Sequence, residues 1–349
     1  MRASCAESLM KVRILPDDDR SFWIGANMKD VDRIKILLLL VRNVDVFAWS
    51  PYKVPGVDPK FIVHKLNMDP LFPPKKQKPR RSAKKHLEAV RQEVKRLKEV
   101  RVIKEVFFLE WLANTVVVKK KNGKWRVCVD FTDLNQACLK DSFLMPKIDP
   151  LADAMYGHPK MSFLDTFQGY HQIALVAEDL EKTVFISLDT NYHYTVMLFG
   201  LKNAKDTYQR IMTRMFRDKI GHMVEVYIDD MVVKSKWEVQ HIDDLKEVFE
   251  VLRQHKLRLN ADKCAFRVGV GKFLGYMITR QGIEINPDQI EAVEHLKPPS
   301  NPKEVQVLIS MLATLNRFIS KFADRCHPFY QLLKKWKGFQ WNEECEKAF

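Results

Sequence analysis

The sequence predicts an α+β fold, and three observations carry that reading. Two β-rich stretches flank Asn122-Gly123 in NTVVVKKKNGKWRVCVDF, the short-range signal of a tight hairpin. A second pair of apolar stretches, VEVYIDDMVVKS, is interrupted only by Asp229 and Asp230. Between and after these pairs, apolar residues recur at three- and four-residue spacing, the period of a helix with one buried face. A chain of 349 residues calls for two or three subdomains, and a hydrophobic fraction of 46% supports a sizeable core.

Along the chain, IKILLLLVRNVDVFAWS predicts a short helix running into a turn, and PYKVPGVDP a loop. Pro70 to Lys85, rich in Pro, Lys and Arg, has no apolar period and should be extended and exposed. Leu87, Val90, Val94 and Leu97 form the stripe of a helix whose other face carries Arg91, Lys95, Arg96 and Lys98. That face is either merely solvated or turned toward phosphates. The hairpin that follows has a basic tip of Lys119, Lys120, Lys121, Lys124 and Arg126, which either closes over a phosphate or keeps an edge hairpin soluble. SFLDTFQGYHQIALV reads as strand, turn, then helix or strand, and FISLDTNYHYTVMLFG as a second hairpin. Ala204, Tyr208, Ile211, Met215 and Phe216 mark the core side of one helix, and His241, Leu245, Val248, Phe249 and Leu252 that of another over Trp237–Lys256. KFLGYMITRQGIEI predicts a further strand pair, and residues 287–335 are mostly helical from Pro287 onward, broken by KPPSNP.

A net charge of +14 points to a polyanionic partner, nucleic acid before an anionic membrane. The longest aliphatic run, Ile36 to Val41, is far too short to span a bilayer, so no membrane role is expected. The N-terminal stretch lacks the apolar region of a signal peptide. Cys5, Cys128, Cys138, Cys264, Cys326 and Cys345 are scattered without a CxxC pair, which argues for reduced thiols in an intracellular protein rather than a zinc site or a disulfide framework.

Asp229-Asp230 poses the main question. As the two-residue turn between Met223–Ile228 and Met231–Lys234 it is poor turn chemistry, because such turns favour Asn-Gly or Gly-X. It also places like charges beside apolar surface, which raises their pKa values unless water, a Lys or Arg, or a divalent cation neutralises them. Asp165 ends a similar apolar strand, MSFLD. Three Asp residues on neighbouring strand ends could hold two metals, an arrangement suited to in-line displacement at phosphorus. An exposed acidic turn is the other reading.

KKKNGKWRVCVDFTDLN, FLDTFQGYHQI, FGLKNA followed by TYQRIM, YIDD, and LNADKCAF followed by GKFLGY occur in an order that resembles the reverse transcriptase region of gypsy-type LTR retrotransposon Pol polyproteins, over roughly residues 40–349. The resemblance implies a right-hand polymerase with fingers, a palm built on an antiparallel sheet, and a thumb. It implies RNA-directed and DNA-directed DNA synthesis by two-metal transfer from a dNTP to a primer 3′-OH, with Mg²⁺, or Mn²⁺ in its place. It makes Asp165, Asp229 and Asp230 the catalytic and metal-binding carboxylates. Lys120 and Arg126 then grip the nucleotide phosphates, and Tyr170 is a steric gate against a 2′-OH. Phe199 and Gly200 line the nucleotide pocket, while Tyr227, Phe273, Leu274, Gly275 and Tyr276 seat primer and template. Ordinary packing stays the other reading of Tyr170, Phe199 and the 273–276 strand pair.

Implied partners are an RNA template, a DNA primer, dNTPs, and the protease, RNase H and integrase of a longer polyprotein, in the cytoplasm within a virus-like particle. The corresponding division is 1–60 N-terminal arm, 61–281 interleaved fingers and palm, 282–335 thumb-like helices, and 336–349 the truncated start of a connection leading to an RNase H-like domain. No D-[ST]-G protease motif or CCHC knuckle is present, and WNEECEKAF resembles the opening of that next domain. The chain departs from the family pattern at Leu139, Gln168, Leu198, Lys205 and Asp206, where prolines or small residues are usual. A catalytically inactive nucleic-acid-binding relic is therefore the second reading, and a metal-dependent nuclease of another fold the third.

Overall fold

The computed structural model describes residues 7–15, 19–50, 54–81, 83–107, 109–120, 123–280, 282–334 and 339–349. Cys5, Lys121, the Asn122 half of the hairpin turn, the start of PYKVPGVDP and the boundaries at 281/282 and 335/336 lie outside these residues.

The chain opens with strands β1 (Leu9–Arg13) and β2 (Ser21–Gly25), then helices α1 (Asp30–Arg42) and α2 (Lys84–Glu99). Strands β3 (Ile103–Val106), β4 (Thr115–Lys119) and β5 (Trp125–Val129) follow, with short helices α3 (Thr132–Ala137) and α4 (Ile148–Asp153). Next come β6 (Lys160–Asp165), β7 (Phe185–Ile186), β8 (Asn191–Tyr194), α5 (Ala204–Met215), β9 (Val224–Tyr227), β10 (Asp230–Ser235) and α6 (His241–Gln254). Strands β11 (Ala265–Val268), β12 (Gly271–Phe273), β13 (Tyr276–Ile278) and β14 (Ile283–Ile285) lead into α7 (Pro287–Glu294), α8 (Pro302–Thr314), α9 (Phe322–Lys334) and α10 (Glu343–Ala348).

A six-stranded sheet in the order β1-β2-β11-β6-β10-β9 is the centre of the molecule. Strand alternation divides its two faces. Met161, Phe163, Val232, Ala265 and Val268 turn to one face and pack with Ala152, Met155, Phe273 and Ile278. Leu164, Met231 and Val233 turn to the other face, into the main core beneath α5 and α6. On the first face the approach is close: a Cβ on Gly271 would lie 2.1 Å from the Phe163 ring, so only glycine fits there. On the second, Phe47 gathers Phe22 at 4.9 Å, Phe249 at 5.8 Å and Phe266 at 6.0 Å. That cluster docks the N-terminal hairpin, and β2 pairs in parallel with β11 at Phe266↔Ile24. Between β9 and β10, Lys234 and Glu225 form an ion pair at 2.7 Å with both side chains 3% exposed. Removing one partner of such a pair costs about 3–5 kcal/mol, because the other charge is left buried and alone.

The expected hairpins are present as β4–β5, β7–β8 and β9–β10. The 271–285 region forms a three-stranded meander, one strand more than expected. Of the stretch expected to be extended, residues 70–81 are mostly exposed but pinned, Gln77 donating to the Asp130 carbonyl at 3.0 Å and Arg80 pairing with Asp130 at 2.7 Å, while Lys84 and Lys85 already belong to α2. Helices α8, α9 and α10 enclose a core of their own: Val305, Leu308, Ile309, Cys326, Phe329, Leu332 and Cys345. Five cysteines among the described residues are free thiols. Among the described residues no helix is long and apolar enough to cross a membrane.

Candidate active site

β6 and β10 run antiparallel in register, and their ends place Asp165 directly opposite Asp230. Cross-strand partners share a face, so both carboxylates lie on the side of Met161, Phe163 and Val232. Here the hairpin reading needs correction. Tyr227 pairs with Asp230, so the turn residues are Ile228 and Asp229, not Asp229 and Asp230. Pairing with Asp165 draws Asp230 into the ladder and shifts the turn back by one. Ile228 then takes the first turn position with φ of +55°, the left-handed region, which a β-branched side chain adopts only under strain.

Asp229 projects from this turn toward the segment after β6. Thr166 Oγ1 donates to Asp229 Oδ1 at 3.2 Å, and the Tyr208 hydroxyl of α5 is 2.8 Å from Thr166 Oγ1. Gly169 is a glycine for space: a Cβ there would fall 2.4 Å from Thr166 Oγ1 and 2.5 Å from Asp229 Oδ1. Lys263, just before β11, donates to both oxygens of Asp165 at 2.9 Å.

The corner is electrically loaded. Burial first, then the charges of Asp165 and Asp230, push Asp229 up to about 6, against the Thr166 hydrogen bond and Lys263. Asp165 is raised by burial and held back by Lys263. Asp230 is exposed as a residue, yet desolvation of its carboxyl and the Asp165 charge raise it as well. Lys263 is thus one of the neutralisers anticipated for this acidic cluster, paired with Asp165 alone; among the described residues Asp229 and Asp230 have no ion-pair partner. No set of three His, Cys, Asp or Glu side chains closes on one point among the described residues. The donors are all hard oxygens with negative charge left over, which fits Mg²⁺ or Mn²⁺ completed by water and substrate phosphates rather than a closed cage.

Tyr170 sits in a tight turn five residues after Asp165, 2% exposed, under the Phe199 ring at 4.1 Å and beside Tyr208 at 5.2 Å. Phe199 is 65% exposed and presents its ring to solvent next to Gly200, whereas Tyr170, expected as a steric gate, is buried beneath it. Arg126, opposite Val118 on the separate β4–β5 sheet, and Lys120, one residue past the end of β4, are both exposed. Phe273 and Tyr276 pair across the β12–β13 turn, whose central residues Leu274 and Gly275 both have positive φ. Tyr276 donates to Asp149 at 3.0 Å, and Tyr227 packs on the same apolar face. Of the departing positions, Leu198 is buried in the core, Leu139 is half exposed, Gln168 takes a left-handed φ of +46°, and Lys205 points to solvent. Asp206 is half-buried in the first turn of α5, and its charge adds to burial and to Asp229 in raising the Tyr170 hydroxyl.

Sequence reasoning missed Lys263, Thr166, Gln209 and the hydroxyl role of Tyr208. Thr166 was detectable as the polar neighbour of Asp165. Lys263 lies 98 residues from its partner and gave no local signal.

A mostly antiparallel sheet that gathers Asp165, Asp229 and Asp230 at the ends of β6, β9 and β10, with a separate basic hairpin and a helical lobe with its own core, is the architecture of a right-hand polymerase fold. Residues 118–278 match the family of reverse transcriptases (RNA-dependent DNA polymerases). The chain is 30% identical over 275 residues to the retrovirus-related Pol polyprotein from transposon 412 of Drosophila melanogaster, covering 77% of this chain and 22% of that protein. It is 30% identical over 231 residues to the corresponding polyprotein from transposon gypsy, covering 64% of this chain and 22% of that one. It thus spans about a fifth of the length of these curated relatives. Among solved structures, the foamy viral protease-reverse transcriptase in complex with dsDNA superposes with a TM-score of 0.82 at 18% identity, over 93% of this chain and 67% of that one. The same viral protein in complex with an RNA/DNA hybrid gives 0.80 at 18%, over 93% and 43%. Over residues 118–278 the chain is thus similar to the reverse transcriptases, and over a longer stretch to retrovirus-related Pol polyproteins of transposons.

Proposed function

We propose that this chain extends a DNA primer on an RNA or DNA template, using dNTPs. The observation that carries the reading is the in-register Asp165↔Asp230 pair with Asp229 in the adjoining turn. Asp165, Asp229 and Asp230 would hold the divalent cations, which when bound supply Lewis-acid activation of the primer hydroxyl and stabilisation of the leaving group. The bond formed joins the primer 3′-oxygen to the α-phosphorus; the bond broken releases pyrophosphate, and the hydroxyl proton passes to solvent. Lys120 and Arg126 bind the triphosphate from the β4–β5 hairpin by charge-assisted hydrogen bonds. Phe199 gives the sugar an apolar floor, Tyr170 buried beneath it sets the height of that floor, and Gly200 leaves the wall open. Tyr227 and the 273–276 turn hold the primer end.

Extension of oligo(dT) on poly(rA) with Mg²⁺, lost in Asp229→Asn, tests the proposal. A second reading, template binding without catalysis, is favoured by one observation: half-buried Asp206 adds a negative charge near the Tyr170 pocket that must receive a triphosphate. Tight, salt-sensitive template binding with no extension by the wild-type chain would select that reading.

A further inference from the structure

The left-handed Ile228 is strained and persists only if its surroundings over-determine it. The Ile228 side chain packs against the main core, and one polar side chain holds its backbone. Gln209, on α5 and 1% exposed, accepts from the Ile228 amide at 2.7 Å and donates to the Val226 carbonyl at 3.1 Å. One amide thus bridges the end of β9 and the strained turn. The residue before it, Tyr208, reaches Thr166, and Thr166 reaches Asp229. Proton counting gives this chain a direction. A threonine hydroxyl has one proton, and an ionised Asp229 can only accept, so Thr166 spends its proton on Asp229 Oδ1. Tyr208 must then be the donor to Thr166.

We infer that Gln209, Tyr208 and Thr166 are positioning residues that act as one unit: Gln209 fixes the backbone of the turn, and the directed Tyr208–Thr166 relay fixes Oδ1 of Asp229, leaving Oδ2 as the oxygen to be presented outward. Two consecutive residues of α5 therefore set both the position and the orientation of a carboxylate on another element. A helix is a suitable base, since it cannot deform locally without breaking its own hydrogen bonds. The inference rests on the polymerase reading of Asp229, and its test is arranged so that the two fail separately.

Mn²⁺ binding to the metal-free chain is titrated by electron paramagnetic resonance, without nucleic acid, alongside melting curves and single-turnover extension. Thr166→Val keeps the shape and removes the hydroxyl; Tyr208→Phe removes the donor to it; Thr166→Ser restores the hydroxyl; Gln209→Met removes both amide contacts. Thr166→Val, Tyr208→Phe and Gln209→Met should each weaken Mn²⁺ binding and lower kcat by about 10-fold or more, with KM for dNTP within about 2-fold. Thr166→Ser should return both to near wild type, which a merely structural role would not require. Wild-type Mn²⁺ affinity in Thr166→Val and Tyr208→Phe overturns the unit and leaves the polymerase reading intact, as does a Thr166→Ser chain no better than Thr166→Val. A wild-type chain that binds Mn²⁺ in the expected rank order but extends no primer sustains the unit and overturns the polymerase reading. Absence of Mn²⁺ binding by the wild type overturns both.

Discussion

Replacing Asp229 by Asn separates what the acidic corner costs from what it does. Asn keeps an oxygen for Thr166 and nearly the same volume, and removes one charge. With Asp229 pushed from 3.8 to about 6 by burial and by its two acidic neighbours, the ionised side chain is penalised by roughly 2 pKa units, or at most about 3 kcal/mol at 1.36 kcal/mol per unit. The turn is half open to solvent, so about 1–2 kcal/mol is the realistic gain for metal-free Asp229→Asn above pH 6. That corresponds to a melting point higher by about 1–3 °C in a chain of 349 residues. The sign follows from proton binding. Between pH 4 and 6, roughly, the folded wild type holds a proton that the unfolded chain has lost, so its stability falls as pH rises through this window, and the full cost is present above it. Melting curves of both chains in EDTA at pH 8 and pH 5 check this, with primer extension in Mg²⁺ alongside. The variant should be more stable at pH 8, lose about half of that advantage at pH 5, and show no extension at any pH. A variant less stable than wild type at pH 8, or equally advantaged at both pH values, would refute the reasoning about a desolvated, unneutralised carboxylate.

Three further outcomes are expected. Lys263→Met strips Asp165 of its counter-ion, and because the lysine is 43% exposed the metal-free chain should lose only about 1 kcal/mol, with saturating Mn²⁺ restoring the melting point. Lys120→Ala with Arg126→Ala should raise KM for dNTP by about 10-fold or more while the melting point stays within about 1 °C, since both side chains are exposed; an unchanged KM removes the hairpin from nucleotide binding. Tyr170→Val should reduce discrimination between dNTP and rNTP by about 10-fold or more, at a stability cost of about 2–4 kcal/mol from the emptied space under Phe199; unchanged discrimination returns Tyr170 to a packing role.

The parts legible in the sequence were those with local causes. Asn-Gly chemistry, period-two strands and the stripe of Ala204, Tyr208, Ile211 and Met215 each mark an element by its own residues, and α5 buries that stripe as expected. What stayed hidden depends on pairings between distant segments. The β1–β2 hairpin joins the sheet through a single parallel pair, Phe266↔Ile24, which no local pattern announces. The turn register was misread by one residue because Asp165, far upstream, decides where Asp230 lies. Gln209 was invisible because a buried glutamine on a helix reads as a flaw in the apolar stripe until its two backbone partners are known. At the acidic corner, like charges and a left-handed isoleucine violate local preference together, and such violations mark a site more reliably than any one residue type.

The separate interior of the C-terminal helices has a mechanical consequence. The lobe is moored to the sheet region in good part by charges, Arg317 to Asp153 at 2.7 Å and to Asp149 at 3.6 Å, and Lys272 to Asp288 at 2.6 Å. An interlocked apolar seam resists sliding, whereas ionic moorings slacken as mobile ions crowd around them. The lobe can therefore loosen from the sheet region without baring its own interior, and ionic strength becomes a dial on how firmly it is held.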